Sequence, residues 1–114
     1  MAMETHIVNG VLVVRLRGEL DHHAVENIRN DIEDELAKTH YRGLVLSFRG
    51  IDFMDSSGLG LILGRYRSVT GRNGKMALCE VTPALRRIFE LSGILKVVPM
   101  HDTEDSAVRA VKEA

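Results

Sequence analysis

Short apolar segments alternate with amphipathic segments along this 114-residue chain, and that alternation constrains the fold more than any other feature. Strand-length apolar runs lie at 11–16, 43–48, 75–81 and 95–100, and segments with helical apolar spacing follow them. Strands that alternate with helices are joined by right-handed crossovers and form a mostly parallel sheet. The order β-β-α-β-α-β-α-β-α therefore predicts one α/β domain over residues 1–114, with about four helices.

The N-terminal segment THIVNGVLVVRLRG predicts a β-hairpin that adds an antiparallel strand to this sheet. Two β-rich runs flank Asn9 and Gly10, the pair that best supplies positive φ at both centres of a type I′ turn. The second run, 11–16, is almost continuously apolar, which is typical of a strand covered on both faces. The predicted sheet is therefore mixed.

Capping residues indicate where two of the helices begin and end. Asp21 is expected to cap the first helix, whose apolar residues recur three and four apart and which ends near Thr39. Thr82 and Pro83 predict the start of the third helix, and Gly93 predicts its end.

Composition and charge exclude several classes of function. A net charge of −1, from 15 basic and 16 acidic residues, gives no electrostatic reason to expect nucleic acid or an anionic membrane as partner. No apolar run has the length of a transmembrane helix, and the first residues lack a signal-peptide pattern, so a cytoplasmic location is expected. The one cysteine, Cys79, lies in the apolar run KMALCEV and is expected to be a buried small hydrophobe.

No residue set indicates a catalytic or metal site. The histidines are scattered, except for the adjacent pair His22 and His23, and no Cys/His set has zinc-site spacing. The stretch MDSSG does not have the G-x-S-x-G pattern of a hydrolase, and SGLGLILG lacks the spacing of a nucleotide-binding glycine loop. We therefore expect no enzyme activity, no metal and no cofactor. A small domain that binds a nucleotide or another ligand through this glycine-rich helix start is kept as an alternative.

The segment FMDSSGLGLILG predicts an unusual start to the second helix. An acid and two serines precede the helical apolar pattern, and three glycines follow within seven positions. One of Asp55, Ser56 and Ser57 is expected to cap the first free N–H groups. A helix N-terminus also favours negative charge, so a phosphate on Ser56 is an equally open interpretation.

The helical spacing in the same segment predicts which side chains pack inward. The expected core face consists of Leu59, Ile62, Leu63, Tyr66 and Val69. Leu61 lies off this stripe and one turn beyond Ser57, so we expect it to project from the surface, either as part of a docking patch or incidentally. Gly58 and Gly60 are expected to keep that surface low, so that a partner can reach Ser56.

Three stretches, GELDHH, FMDSSGLGLILGRY and LRRIFELSGILKVV, resemble the anti-sigma factor antagonists of the STAS domain family. The likeness extends from the hairpin to the final helix. GELDHH and LGRY resemble the sporulation branch, which acts on the anti-sigma-F factor, more than the general stress-response branch, which is kept as a second alternative.

The resemblance implies a switch that works by protein–protein interaction. In the unphosphorylated form such a protein binds the anti-sigma factor, a serine kinase of the SpoIIAB type, and thereby releases sigma-F for transcription. The kinase binds ATP itself and inactivates the antagonist by phosphorylating it. A PP2C-type phosphatase of the SpoIIE type restores the active form.

The resemblance also implies roles for individual residues. It places the phosphate on Ser56 and gives supporting roles to Asp21, Asp55, Ser57 and Gly58. The contact with the partner is then expected to involve one set of residues from the first two helices: His22, His23, Ser56, Ser57, Gly58, Leu59, Gly60 and Leu61.

Overall fold

A computed structural model describes residues 2–38 and 41–112, which form a five-stranded sheet with helices on both faces. The strands lie in the order β1-β2-β3-β4-β5; β1 and β2 are antiparallel, and all the other neighbours are parallel. The elements are β1 (Met3–Val8), β2 (Val11–Leu20), α1 (His22–Lys38), β3 (Gly43–Met54), α2 (Ser56–Thr70), β4 (Lys75–Cys79), α3 (Pro83–Ser92), β5 (Met100–His101) and α4 (Glu104–Lys112). The α/β class, the mixed sheet, the N-terminal hairpin and the four helices are confirmed.

The turn between β1 and β2 has the conformation that its sequence predicts. Asn9 and Gly10 have φ values of 53° and 80°, the positive range that a type I′ turn requires at both central residues. Val8 and Val11 pair directly across this turn, which fixes the register of the whole hairpin.

The sheet is covered on both faces, as the apolar run in β2 predicts. Leu12, Val14 and Leu16 belong to the larger core, which α1, α2 and α3 cover on one face. Val11 and Val13 belong to a smaller cluster on the other face, which α4 covers with Ala107, Val108 and Val111. All five of these β2 side chains are buried, so both faces of the strand are covered over residues 11–14.

Two strands differ from the sequence prediction. β3 was expected over 43–48 but extends to Met54, because it keeps pairing with β2 through two register shifts. The strand expected over 95–100 is reduced to β5, and a 3₁₀ turn over Ile94–Lys96 takes its place. Pro99 has no N–H for a ladder, and only its carbonyl joins the sheet, by accepting from the N–H of Leu78 at 2.9 Å.

The predicted helix caps are formed. The Asp21 carboxylate accepts a hydrogen bond from the N–H of Ala24 at 2.8 Å, and the Thr82 hydroxyl accepts one from the N–H of Leu85 at 3.4 Å. Gly93 ends α3 in the left-handed region, with φ of 81°. The predicted end of α1 at Thr39 lies outside the described residues.

None of the helices within residues 2–38 and 41–112 has the length and apolar character needed to cross a membrane.

Cys79 is predicted to be unreactive in the folded protein. It is buried between the sheet and α4, and this burial raises the pKa of its thiol to about 12, although a hydrogen bond with Ser47 lowers it. The thiolate is the reactive form, so the native protein at pH 8 should react with a disulfide reagent such as DTNB at least about 100-fold more slowly than the same protein in guanidinium chloride. Rapid stoichiometric labelling of the native protein would contradict this buried position.

Candidate functional site

The starts of α1 and α2 lie side by side at one edge of the sheet. β2 ends at Leu20 and β3 ends at Met54, and these two residues are paired in the parallel ladder. Each strand is followed by one aspartate, Asp21 or Asp55, and then directly by its helix. The Asp55 N–H donates to the Leu20 carbonyl at 3.3 Å, which ties the two chain segments together. The pairing of β2 with β3 therefore brings two residue groups that are distant in sequence into one site.

Asp55, and neither serine, caps α2. Its carboxylate accepts from the Ser57 N–H at 2.8 Å, and its carbonyl accepts from the Gly58 N–H at 3.0 Å. Ser56 is the first residue of the helix and is exposed, and its hydroxyl makes no hydrogen bond to any residue of 2–38 or 41–112. The structure thus answers the question that the sequence leaves open about the cap, and it leaves the Ser56 hydroxyl available.

A polar side-chain contact joins the two helix starts. The Ser57 hydroxyl lies 3.5 Å from Nδ1 of His22, a long contact at the limit of a hydrogen bond. Ser57 is half-buried, whereas His22 and the neighbouring His23 are exposed. The predicted residues Asp21, His22, Ser56 and Ser57 therefore lie in one neighbourhood, and Ser57 supports it from the α2 side.

The two glycines near the start of α2 have different roles. A Cβ on Gly58 would collide with the Cγ and Sδ of Met54, so this glycine lets the helix begin close against the end of β3. Gly58 is buried, so it offers little surface for the contact with a partner that was also expected of it. Gly60 is exposed, and a Cβ there would meet no heavy atom within 4 Å, so it does keep the surface low.

The expectation that Leu61 projects from the surface is wrong, because its exposed fraction is 3%. The buried residues of α2 are spaced three and four apart, but they form a stripe rotated from the predicted one: Gly58, Leu61, Ile62, Arg65 and Val69. Leu59, Leu63 and Tyr66, which the sequence placed on the core face, are half-buried along the flank of the observed stripe. A partner cannot dock on Leu61 while the helix is packed in this way.

Phe53 is a candidate site residue that the sequence analysis missed. It lies near the end of β3, three residues before Ser56, and its exposed fraction is 50%. The ladder pairs Gly18 with Ile51 and then Glu19 with Phe53, so Asp52 is an extra residue that shifts the alternation of inward and outward side chains. Regular alternation after the buried Ile51 would have placed Phe53 inside; the bulge instead buries Met54 and exposes the aromatic ring.

The start of α2 combines an electrostatic preference for anions with an exposed hydroxyl. The free N–H groups at the start of α2 favour negative charge, and the hydroxyl of Ser56 has no base hydrogen-bonded to it among the described residues. Within that same part of the chain, no group of three or more His, Cys, Asp or Glu side chains is arranged to hold a metal ion.

A family model described as the STAS domain matches residues 2–107. The chain belongs to the STAS domain family. STAS relatives with similar sequences include an anti-sigma F factor antagonist of Paenibacillus polymyxa, 43% identical over 93% of this chain and 89% of the relative. A second anti-sigma F factor antagonist, from Lysinibacillus sphaericus, is 38% identical over 93% of this chain and 90% of its own length.

Three solved structures resemble this fold closely. The anti-sigma factor antagonist SpoIIAA in its unphosphorylated form is 36% identical, with a TM-score of 0.76 over 99% of this chain and 100% of that chain. SpoIIAA of Bacillus in its phosphorylated form is 38% identical, with a TM-score of 0.75 over 96% and 99%. A Thermotoga maritima protein, 22% identical, has a TM-score of 0.90 over 97% and 95%, which shows a shared fold.

The two glycines provide a matched test of this packing. Gly58→Ala should lower the free energy of unfolding by about 1–3 kcal/mol, because the new methyl group collides with Met54. Gly60→Ala should raise it by about 0.4–1 kcal/mol, because alanine favours a helix and the position is open. Urea denaturation followed by circular dichroism measures both changes. Equal effects of the two substitutions would contradict the different environments of the two glycines.

Proposed function

We propose that this protein is an anti-sigma factor antagonist whose binding to its partner is switched off by phosphorylation of Ser56. The observation that carries the proposal is the division of roles at the start of α2. Asp55 caps the helix, and Ser56 is exposed beside it with an uncommitted hydroxyl. A modified Ser56 would therefore leave the cap in place. The relatives named as anti-sigma factor antagonists, and the existence of SpoIIAA in a phosphorylated form, support this proposal.

The sigma-F branch is favoured over the general stress-response branch by sequence identity. The two anti-sigma F factor antagonists are 43% and 38% identical to this chain. The anti-sigma-B factor antagonist of Listeria monocytogenes is 27% identical and matches only 76% of this chain. We therefore propose a role in sporulation, with release of sigma-F as the outcome of binding.

The proposed partner surface combines polar and apolar groups at the carboxyl edge of the sheet. Ser56 and Gly60 supply its low, exposed part on α2, and His22 supplies an imidazole on α1. Phe53, three residues before Ser56 near the end of β3, adds an exposed ring. Aromatic side chains that become buried in an interface contribute much of its binding energy, so Phe53 is the proposed apolar anchor of this contact. His23, Ser57 and Leu59 remain proposed contacts around this centre.

A phosphate on Ser56 would weaken docking without unfolding the chain. It adds about −1.5 to −2 charges at pH 7 to an exposed position at a helix start, where the N–H groups partly stabilise it. The carboxylates of Asp55 and Asp21, both held in caps, add negative charge nearby. A partner that covers this surface would have to desolvate the phosphate without an opposing charge, which costs free energy in the complex alone.

The chain itself is proposed to be non-catalytic and to need no cofactor. The anti-sigma factor is proposed to be a SpoIIAB-type serine kinase that binds ATP and transfers the phosphate to Ser56. A SpoIIE-type phosphatase of the PP2C class would remove it. We place this cycle in the cytoplasm, where ATP and the transcription machinery are found.

Incubation with the cognate kinase and ATP should add one phosphate, and peptide mass spectrometry should place it on Ser56. Ser56→Ala should abolish labelling, because it removes the exposed hydroxyl but not the Asp55 cap. The matched control is Ser57→Ala, which removes the neighbouring, half-buried hydroxyl and should still be labelled on Ser56. Undiminished labelling of the Ser56→Ala protein at another residue would refute the assignment.

Binding of the anti-sigma factor should depend on both the charge and the ring at this site. Ser56→Asp and Phe53→Ser are each expected to raise the Kd by about tenfold or more in calorimetry, because one adds an unpaired charge and the other removes the apolar anchor. Both residues are exposed, so the Tm should change by less than about 3 °C.

The matched control for Phe53 is Leu91, an apolar side chain that is 80% exposed near the far end of α3. Leu91→Ser should leave the Kd unchanged. Unchanged affinity of the Ser56→Asp protein would overturn the proposed switch. Unchanged affinity of the Phe53→Ser protein would contradict only the proposed role of Phe53 as the apolar anchor.

A further inference from the structure

The outer edge of β1 is an open strand edge. Within residues 2–38 and 41–112, β1 pairs only with β2, and no second strand lies on its other side. Its six residues contain no proline, and no bulge interrupts their register with β2. Natural proteins usually protect such an edge with proline, bulges or covering segments, because it can pair with another chain.

The register of the hairpin shows which backbone groups face outward. Val8 and Val11 close a two-residue turn, and the closing pair of such a turn is hydrogen-bonded across the two strands. Because hydrogen-bonded and non-hydrogen-bonded pairs alternate, the N–H and C=O groups of Met3, Thr5 and Ile7 point away from β2. The Arg17 N–H donates to the Ala2 carbonyl at 2.8 Å, which agrees with this alternation.

A groove of about 290 Å³ runs between this edge and α1. β1 contributes Met3, Glu4 and Thr5 to its lining, and α1 contributes the four residues Asp31, Asp34, Glu35 and Lys38. These helix residues form one flank of α1, spaced three and four apart, while Ile28, Ile32 and Leu36 face the core. An added strand would lie about 4.8 Å from β1, with its side chains on this face directed along the α1 flank.

The charge of that flank is negative. The Nζ of Lys38 lies 3.3 Å from Oε1 of Glu35 and offsets the negative charge of that carboxylate. Asp31 and Asp34 are exposed and have no ion-pair partner in the described part of the chain. The Glu4 carboxylate is turned to the opposite face, where it contacts His6 and Arg15. The groove therefore presents two uncompensated carboxylates beside an open strand edge.

A second copy of this chain is a poor occupant, because pairing two β1 edges would bring two such acidic flanks together. A positively charged segment would instead gain two kinds of interaction, main-chain hydrogen bonds from the edge and attraction from the flank. We infer that the edge of β1 is a docking site for an extended basic peptide segment of a partner protein, which adds a sixth strand beside α1. None of its residues belongs to the Ser56 site, so this inference is independent of the proposed function.

The probe for this inference is a synthetic hexapeptide of alternating valine and lysine, added to the full-length protein. Amide hydrogen exchange measured by NMR should show at least about tenfold slower exchange at Met3, Thr5 and Ile7 on binding. The amides of Glu4 and His6, which face β2, should change little. A peptide of the same length in which proline replaces one central residue, and one with glutamate in place of lysine, should each bind at least about tenfold more weakly.

Two variants test the two parts of the site separately. Thr5→Pro removes an outward N–H without removing a hydrogen bond to β2, and it should abolish binding of the peptide. The double variant Asp31→Asn with Asp34→Asn changes only exposed side chains and should weaken binding at least about fivefold, which keeps the inference testable if the proline variant does not fold.

Equal binding of the lysine and glutamate peptides, or slowed exchange away from β1, would overturn the inference. So would a dimer of the unmodified protein in analytical ultracentrifugation that Thr5→Pro dissociates, since the edge would then belong to a second copy. In each of these outcomes Ser56 could still be phosphorylated normally, so failure here is distinguishable from failure of the proposed function.

Discussion

The parallel pairing of β2 with β3 is the constraint on which the rest of this structure depends. It continues through two bulges until Leu20 lies opposite Met54, so the two strands end together and α1 and α2 begin side by side. Each helix needs a cap immediately after its strand, and Asp21 and Asp55 supply the two caps. A shorter β3, as the apolar pattern predicted, would have left the start of α2 without a fixed position relative to α1. The exposed geometry of Ser56 is therefore a consequence of strand pairing.

A partly buried ion pair joins the two helices farther along. The Arg65 guanidinium lies largely buried with its Nε 3.1 Å from a Glu33 carboxylate oxygen, although these two atoms are not aligned for a hydrogen bond. Burial lowers the pKa of Arg65, and the nearby Glu33 carboxylate opposes this shift by stabilising the charged guanidinium. The other oxygen of Glu33 accepts from Ser68 and Arg72, each at 3.2 Å. Loss of Glu33 would leave a buried charge without compensation, which is costly, so this cluster fixes how α2 is rotated against α1.

The sequence predicted the parts of the fold that depend on local chemistry and missed those that depend on packing. Alternating apolar runs, the turn pair and the caps are local signals, and the α/β class followed from them, whereas the grouping of residues around Ser56 came from the family resemblance. The rotation of α2 about its axis depends on packing with the rest of the fold. Two of its buried positions are occupied by Gly58 and Arg65. A stripe traced through apolar residues alone was therefore rotated from the observed one and left Leu61 outside it. Phe53 was missed because a bulge in strand pairing reverses the alternation, and a bulge has no distinct signature in one sequence.

These contacts favour a switch that acts on the complex and leaves the fold of the chain unchanged. A phosphate that had to move α2 would need to work against a packed stripe, an aspartate cap and the Glu33 cluster together. Ser56 belongs to none of these contacts, so its modification changes the charge of the surface at little cost to the fold. The free-energy cost of the added charge would then arise almost entirely in the complex, because the phosphate would lose its bound water there. A rigid helix start would suit this proposed role, because it would keep the hydroxyl in the same place for the proposed kinase, phosphatase and docked partner.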